Sequence, residues 1–491
     1  MRNQYEFLSE DPNIKVKPIV FSLIIGAFFA ILNETLLNIA LTTLMDEFQL
    51  SITTVQWMST GFMLVMAIVI PLSALLLQWF TTRQMFLSTM LMFTIGTIIC
   101  AIAPNFTILL VGRFLQAAGT GLLTPIIFNV FLLLFPPERR GAIMGVVGLV
   151  IMFAPAIGPT LSGVIVEYLG WRYLFITVIP FALFSILFAY KYLVNVSEVT
   201  RPKIDFLSII LSTISFGCIV FGFSSVGEAE SGFLTPIVYL PILVGVIALF
   251  FFCRRQLKLE EPIMDLRVFS YPMFRLGVFL FVIIIMTMLS SEVILPLYMQ
   301  GPLAITAATA GLILLPGSLL NGIMSPIMGQ LYDKFGPRKL MIPATIVFSG
   351  TMLILSKLSL QTPIWIIIVC YILLMVSVSA TLMPAQTNAL NALPKHLYPH
   401  GTAVLTTLQP ICGAIGVSVF VSLMKAKQNS WLSQSSTPAD PTTINEGLVA
   451  GIELVYLISF GLAILAFVIS LFVQRAMPKE TENSSLEKQV Q

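Results

Sequence analysis

Thr107-Ile-Leu-Leu-Val-Gly-Arg-Phe-Leu-Gln-Ala-Ala-Gly-Thr-Gly-Leu-Leu-Thr-Pro-Ile-Ile-Phe-Asn-Val-Phe-Leu-Leu-Leu-Phe135 is a near-unbroken apolar run with one charge, Arg113. Apolar residues fill the whole turn, not one stripe, so no face is left for water. A run of about 20 such residues crosses a hydrocarbon layer of about 30 Å. This stretch therefore reads as a spanning helix, and the rest of the chain repeats it.

Over 491 residues, 57% are hydrophobic and 10% charged, against roughly 25% charged in a typical soluble domain. The apolar residues form runs near 19–42, 57–80, 85–103, 107–135, 142–166, 171–190, 205–224 and 235–253, then 274–298, 307–331, 340–357, 362–388, 401–424 and 450–474. The expected fold is all-α and integral to a membrane, with about fourteen spans. The first run follows Glu6, Glu10 and Asp11 and has no small-residue cleavage motif after it, so it reads as a first span and not a removable signal. The net charge of +3 and the lack of a basic stripe argue against nucleic-acid binding. Cys100, Cys218, Cys253, Cys370 and Cys412 all lie in apolar runs and read as small buried side chains.

Lys and Arg concentrate on the cytoplasmic side of membrane proteins. With the N-terminus inside, 21 of the 26 fall in cytoplasmic segments; Arg172, Lys357, Lys425 and Lys427 fall outside and Arg113 within a span. A missed helix would scramble that split, so it supports both the count and cytoplasmic termini. The basic connection 254–275 leaves eight spans before it and six after. The expected organisation is a segment 1–18, a six-helix half 19–195, a two-helix insertion with linker 196–270, a second half 271–476 and a tail 477–491. Pro125 and Asn129 recur as Pro384 and Asn388, and the segment 73–83 sits where 329–339 sits in the second half. Duplicated helical halves are a usual build of secondary transporters, with the substrate site between them. The polar stretch 425–449 is expected to be a flexible outer loop.

An ionisable group in mid-bilayer costs roughly 2.5–3.5 kcal/mol on insertion scales, so the few present are informative. Glu34 lies mid-span in Leu32-Asn-Glu-Thr-Leu-Leu-Asn-Ile-Ala40, with Asn33 beside it and Asn38 one turn on. A buried carboxyl favours its protonated form, which suits a proton carrier; an interhelical hydrogen bond is the plainer alternative. Arg113, with Gln116 near the same face, needs a partner or water, or snorkels to one interface. Glu292 reads as a second proton or cation site, or as a residue of the outer vestibule. Gly141, Gly145, Gly148, Pro155, Gly158, Pro159 and Gly163 crowd one span, as a hinge and gate or as a tight seam. Gly329, Asp333, Lys334, Gly336, Arg338 and Lys339 form a cytoplasmic turn able to lock that face through ion pairs, or an ordinary basic loop. His396 and His400 lack further ligands nearby, so no metal site is expected. No phosphate-binding glycine loop or hydrolase motif occurs, which argues against an enzyme.

Four segments resemble motifs of the major facilitator superfamily, most closely its fourteen-helix drug:proton antiporter branch of the EmrB/QacA type, near the LmrB-like members. Gly112-Arg-Phe-Leu-Gln116 with Gly119 is similar to motif B, and Ala154-Pro-Ala-Ile-Gly-Pro-Thr-Leu-Ser-Gly163 to motif C, the antiporter signature. Trp171-Arg-Tyr-Leu-Phe175 is similar to the opening of the sixth helix, and Gly329 to Lys339 to motif A. The first-half copy of motif A departs from the pattern: Ser73, Leu77 and Phe80 replace a glycine, an acid and a glycine. Asn33 stands where the branch often has Asp, and Glu34 points about 100° further round the helix.

The resemblance implies a major-facilitator-type fold of six, two and six helices. It implies proton-coupled export of bulky, amphipathic or cationic compounds by alternating access, with Arg113 in proton coupling and the 142–166 helix limiting leak. The partners expected are small-molecule substrates, protons and the lipid of a bacterial cell membrane, with no nucleic acid, no cofactor and a working monomer. An exporter of one metabolite or lipid-like molecule, and a non-transporting membrane sensor or scaffold, are the rival readings.

Overall fold

The computed structural model describes residues 15–50, 52–197, 199–227, 232–435 and 440–477, with backbone alone at 38, 39, 42, 52, 53, 156, 159, 160, 227, 307 and 308. The expected segments 1–18 and 477–491 thus lie largely outside the described residues. Backbone groups in hydrocarbon find no water, so a spanning chain satisfies them within helices. The described residues are helical almost throughout and contain no strand.

Among the described residues fourteen helices follow one another, where segments separated by a short break are counted as one. In the first part they are α1 (Val16–Phe48), α2 (Ile52–Val69, continued through Ile70–Leu72 and Ser73–Trp79), α3 (Thr82–Ile102), α4 (Phe106–Leu134), α5 (Arg140–Tyr168) and α6 (Tyr173–Ile176 and Ile179–Tyr192). The insertion is α7 (Phe206–Ser224) and α8 (Pro236–Gln256). Then come α9 (Pro272–Gln300), α10 (Ala307–Phe335), α11 (Pro337–Leu355), α12 (Ile364–Asn391), α13 (Tyr398–Gln434) and α14 (Pro441–Phe472). Thirteen segments among the described residues are long and apolar enough to cross a membrane. The remaining helix, α5, runs for 29 residues. Each expected span falls on one of these helices.

Local sequence sets the boundaries. Thr81 and Gln84 close a capping box at the start of α3, and Asn105 accepts the Ile108 N–H at the start of α4 at 3.0 Å. Gly336, at φ 80°, turns the chain from α10 to α11 in a conformation a β-carbon resists. One expectation fails. The stretch 425–449 is not a loop throughout, because α13 runs on to Gln434 and α14 begins at Pro441. Hydropathy falls after Met424, but Lys, Ala and Gln there are good helix formers. The extension also packs: a β-carbon on Gly447 would lie 3.3 Å from the Trp431 ring.

Two groups of helices face each other. α1 packs on α5 and α6, and α4 on α3 and α2; α12 packs on α10, α11 and α9, and α14 on α11 and α13. The groups meet along two seams. At one, α5 lies along α10 with almost no space between the backbones. A β-carbon on Gly329 would strike the Gly141 carbonyl, one on Gly145 would come 2.5 Å from the Ser325 carbonyl, and one on Gly148 3.0 Å from Ser325 Oγ. At the other, α13 meets α2 and α4. The insertion straddles that second seam, since α7 packs on both α2 and α13 while α8 packs on α7.

Candidate substrate and proton site

The close approach of α3 and α4 sets the site. A β-carbon on Gly112 would lie 2.6 Å from Cys100 Sγ, and one on Gly96 2.6 Å from the Gly112 carbonyl. With Gly112 fixed against α3, Arg113 is directed toward α1 and is 1% exposed. Its Nη1 donates to Asn33 Oδ1 and to Gln116 Oε1, each at 3.1 Å. The guanidinium also lies 4.3 Å from the centre of the Phe62 ring, a favourable cation–π distance. Gln116 is held in turn, its Nε2 donating to Thr97 Oγ1 at 2.8 Å. Arg113 therefore ties α1, α2, α3 and α4 through neutral partners. Its Nε and the Asn33 Nδ2 are buried without a partner among the described residues.

Glu34 is the neighbour of Asn33 in the chain. It lines a cavity of about 1320 Å³ between the two groups of helices. Glu292, on α9, lines the same cavity and is exposed to it. Near Glu292 stand Tyr371 and Ser318, 3.1 Å apart, and Asn321, whose Oδ1 has no partner. Most of the remaining lining is apolar, including Ile31, Met63, Met66, Ile151, Met288 and Met375. Among the described residues neither carboxylate has an ion-pair partner within 4 Å. The structure thus brings Glu34 and Glu292 to one space and sets Arg113, Asn33 and Gln116 behind its wall. The side chain of Asn38 lies outside the described residues.

The motif-C residues border the cavity and α1. Pro155 lines the cavity. A β-carbon on Gly158 would strike Thr35 of α1, while one on Gly163 would meet nothing within 4 Å. The side chain of Pro159 lies outside the described residues. Trp171 and Arg172, at the opposite end, both donate to the Glu47 carboxylate, at 2.6 and 2.9 Å, and so join α6 to the end of α1.

The cavity is shut at the end where α1 begins and α14 stops, the terminal end. Of the two readings of the turn 329–339, a lock through ion pairs or an ordinary basic loop, the structure shows neither: among the described residues Asp333 has no ion pair within 4 Å, yet it bonds across the seam. Its two oxygens accept the Gly141 and Ala142 N–H groups at 2.8 and 2.7 Å. The first turn of a helix carries unpaired N–H groups and partial positive charge, which draws a carboxylate. Arg338 and Lys339 stay exposed, and Arg475 donates to the Asp333 backbone carbonyl at 2.9 Å. Sequence reasoning missed the larger part of this closure. Arg140, fully buried, donates to Asn391 Oδ1 at 2.9 Å and to the Tyr398 hydroxyl at 3.0 Å, so one guanidinium on α5 holds α12 and α13. At the other seam His400 Nδ1 accepts the Asp265 N–H at 3.1 Å, and its Nε2 lies 3.2 Å from Gln78 Nε2. That histidine is used as a brace. Among the described residues no cluster of metal-ligating groups occurs.

Two helical halves around a cavity of this size, shut at the terminal end, define a secondary transporter. Residues 23–417 match the model of the Major Facilitator Superfamily. The chain is 48% identical to the lincomycin resistance protein LmrB of Bacillus subtilis, over 94% of this chain and 96% of that one. It is 47% identical to the protein of the same name from Listeria monocytogenes, over 94% and 98%. The multidrug export protein EmrB of Haemophilus influenzae is 26% identical over 86% and 84%. Among solved structures, the proton:xylose symporter XylE matches with a TM-score of 0.65 at 15% identity, covering 94% of this chain and 96% of that one, a likeness of fold alone. The chain belongs to the Major Facilitator Superfamily. It is a multi-pass membrane transporter and not an enzyme.

Proposed function

We propose that this protein is a proton-coupled multidrug efflux transporter that exports bulky, amphipathic or cationic compounds by alternating access. The observation that carries the reading is the shared cavity, in which one carboxylate from each half, Glu34 and Glu292, stands among methionine and aliphatic side chains. An apolar, adaptable wall suits varied substrates, and its two acids, against the single lysine of the lining, Lys425, suit a positive charge or a proton. The names of its relatives, lincomycin resistance and multidrug export, support the same reading. The basic terminal end faces the cytoplasm, by the distribution of Lys and Arg, in the cell membrane of a bacterium. The transporter works as a monomer and needs no cofactor, because the proton gradient supplies the energy. One proton crossing one pH unit and about 100 mV releases roughly 1.4 kcal/mol from the gradient and about 2.3 kcal/mol from the potential. That sustains an outward substrate gradient of several hundred-fold.

In this cycle Glu34 alternates between a proton and the substrate, and Arg113 biases the exchange from behind Asn33. The gate at the terminal end is Asp333 on the start of α5, with Arg140. Everted vesicles carrying the protein test this. Addition of a cationic drug dissipates a preset ΔpH, and Glu34→Gln abolishes the response. An unchanged response in Glu34→Gln removes Glu34 from the coupling. Failure of every cationic dye and antibiotic, with a native metabolite active, replaces the multidrug reading by a dedicated exporter.

A further inference from the structure

The inserted helices do more than occupy lipid. α7 is fixed to both halves. Its Phe221 ring stacks on Trp57 of α2 at 6.0 Å, and Ser418 of α13 donates to the Phe223 carbonyl. α8 is fixed to α7 backbone to backbone, since a β-carbon on Gly222 would lie 2.9 Å from the Val238 carbonyl and one on Gly245 2.9 Å from the Ser215 carbonyl. The described residues that flank the turn between the two helices therefore have a set position, and it is at the cavity. Ser224 and Val226 on one side, and Phe233 and Leu234 on the other, line it together with Glu34 and Glu292. Phe233 is held edge-on to Phe223, ring centres 5.9 Å apart, which fixes its orientation. Leu234 is 82% exposed, free to meet a ligand.

We infer that Phe233 and Leu234 are specificity-determining residues: they form an apolar wall for the non-polar part of a cationic substrate whose charge is met by Glu34 or Glu292. The inference rests on the cationic reading of the cavity but not on proton coupling. The wall selects for apolar bulk at equal charge. A small cation reaches a carboxylate without touching it, while a cation carrying aromatic groups buries them against it.

The test is equilibrium binding to the purified full-length protein in detergent, with tetraphenylphosphonium and tetramethylammonium as probes of equal charge. Phe233→Ala and Leu234→Ser are expected to raise the dissociation constant for tetraphenylphosphonium about five- to tenfold, the loss of one apolar contact face. The constant for tetramethylammonium stays unchanged. Phe233→Leu restores most of the affinity, and Phe251→Ala, on the 51% exposed lipid face of α8, changes neither constant. Equal weakening of both cations by the wall variants, no weakening of either, or wild-type protein that binds neither probe overturns the inference. Binding that follows the expected pattern, without ΔpH dissipation by the same cation in vesicles, sinks the antiport reading and leaves the wall in place.

Discussion

Arg113 is buried with neutral partners, an arrangement that costs solvation without an ion pair in return. Asn33 supplies the acceptor that makes it tolerable, and one position further on Glu34 is released to the cavity. The division of labour between neighbours follows from helix geometry, since successive residues point about 100° apart. Asn33→Leu is expected to destabilise the protein by about 1–3 kcal/mol, by stranding a charged donor, read as a lower midpoint of thermal unfolding in detergent. An unchanged midpoint would mean that water or Glu34 takes over the guanidinium. Asn33→Asp keeps the acceptor and retains the fold. Glu34, Arg113 and Glu292 were legible in the sequence because hydrocarbon admits few ions, and each one present stands out. Arg140 was not. At a helix end it looked like one more basic residue setting topology, and its partners Asn391 and Tyr398 lie more than 250 positions away. No local pattern reports a contact at that separation.

Among the elements, α5 shows how unevenly a run of glycines can be used. Gly141 and Gly145 touch α10, whereas Gly163 faces open space. Gly141→Ala and Gly329→Ala each force the seam apart and are expected to cost about 1–3 kcal/mol, the usual range for overpacking. Gly163→Ala is expected to be neutral or to stabilise by up to about 1 kcal/mol through helix propensity. Thermal midpoints of the three variants check this, and a midpoint for Gly329→Ala at the wild-type value would refute the interlock. Composition revealed that α5 was special but left hinge and packing seam unseparated, because which face a neighbour presses on is a tertiary fact. The insertion has its own clasp at the terminal end. Arg255 donates to both oxygens of Asp205, at 2.6 and 2.8 Å, and this pairing holds the Asp205 carboxyl down to about 2. A depressed carboxyl contributes fully above the ordinary Asp value of about 3.9 and loses its contribution as pH falls toward 2. Proteolysis between α6 and α7 is therefore expected to be insensitive to pH from 5 to 8 in the wild type, to rise below about pH 4, and to be raised by Asp205→Asn from pH 5 to 8, with the difference closing as pH falls toward 2.

For the whole molecule, the closed terminal end is a set of few, specific bonds across two seams: Asp333 with α5, Arg140 with α12 and α13, and His400 with Gln78. Thr402, 1% exposed beside that closure, reports on it. In a background lacking the five native cysteines, Thr402→Cys is expected to react slowly with a membrane-impermeant maleimide applied from the terminal end, and about tenfold faster once Arg140→Ala removes the bridge. That ratio corresponds to roughly 1.4 kcal/mol of shifted equilibrium. Equal rates would show that the closure survives without Arg140. The helix order was readable because each crossing demands its own apolar run. The seams were not, because helices that face a neighbouring half and helices that face lipid are equally apolar.

The α7–α8 pair carries one more consequence, a matter of parity. A hairpin adds two crossings, so every later helix keeps the direction it would have had without the pair. A single added helix would invert α9 to α14 and carry Asp333 to the far side of the bilayer from Gly141. Gain or loss of the pair in a gene is thus silent for the orientation of both halves and for the bonds that close the terminal end. It is not silent for the cavity, which would lose the side of its wall formed by Phe233 and Leu234. A lineage can in this way change what its transporter accepts while leaving the machinery that moves it intact.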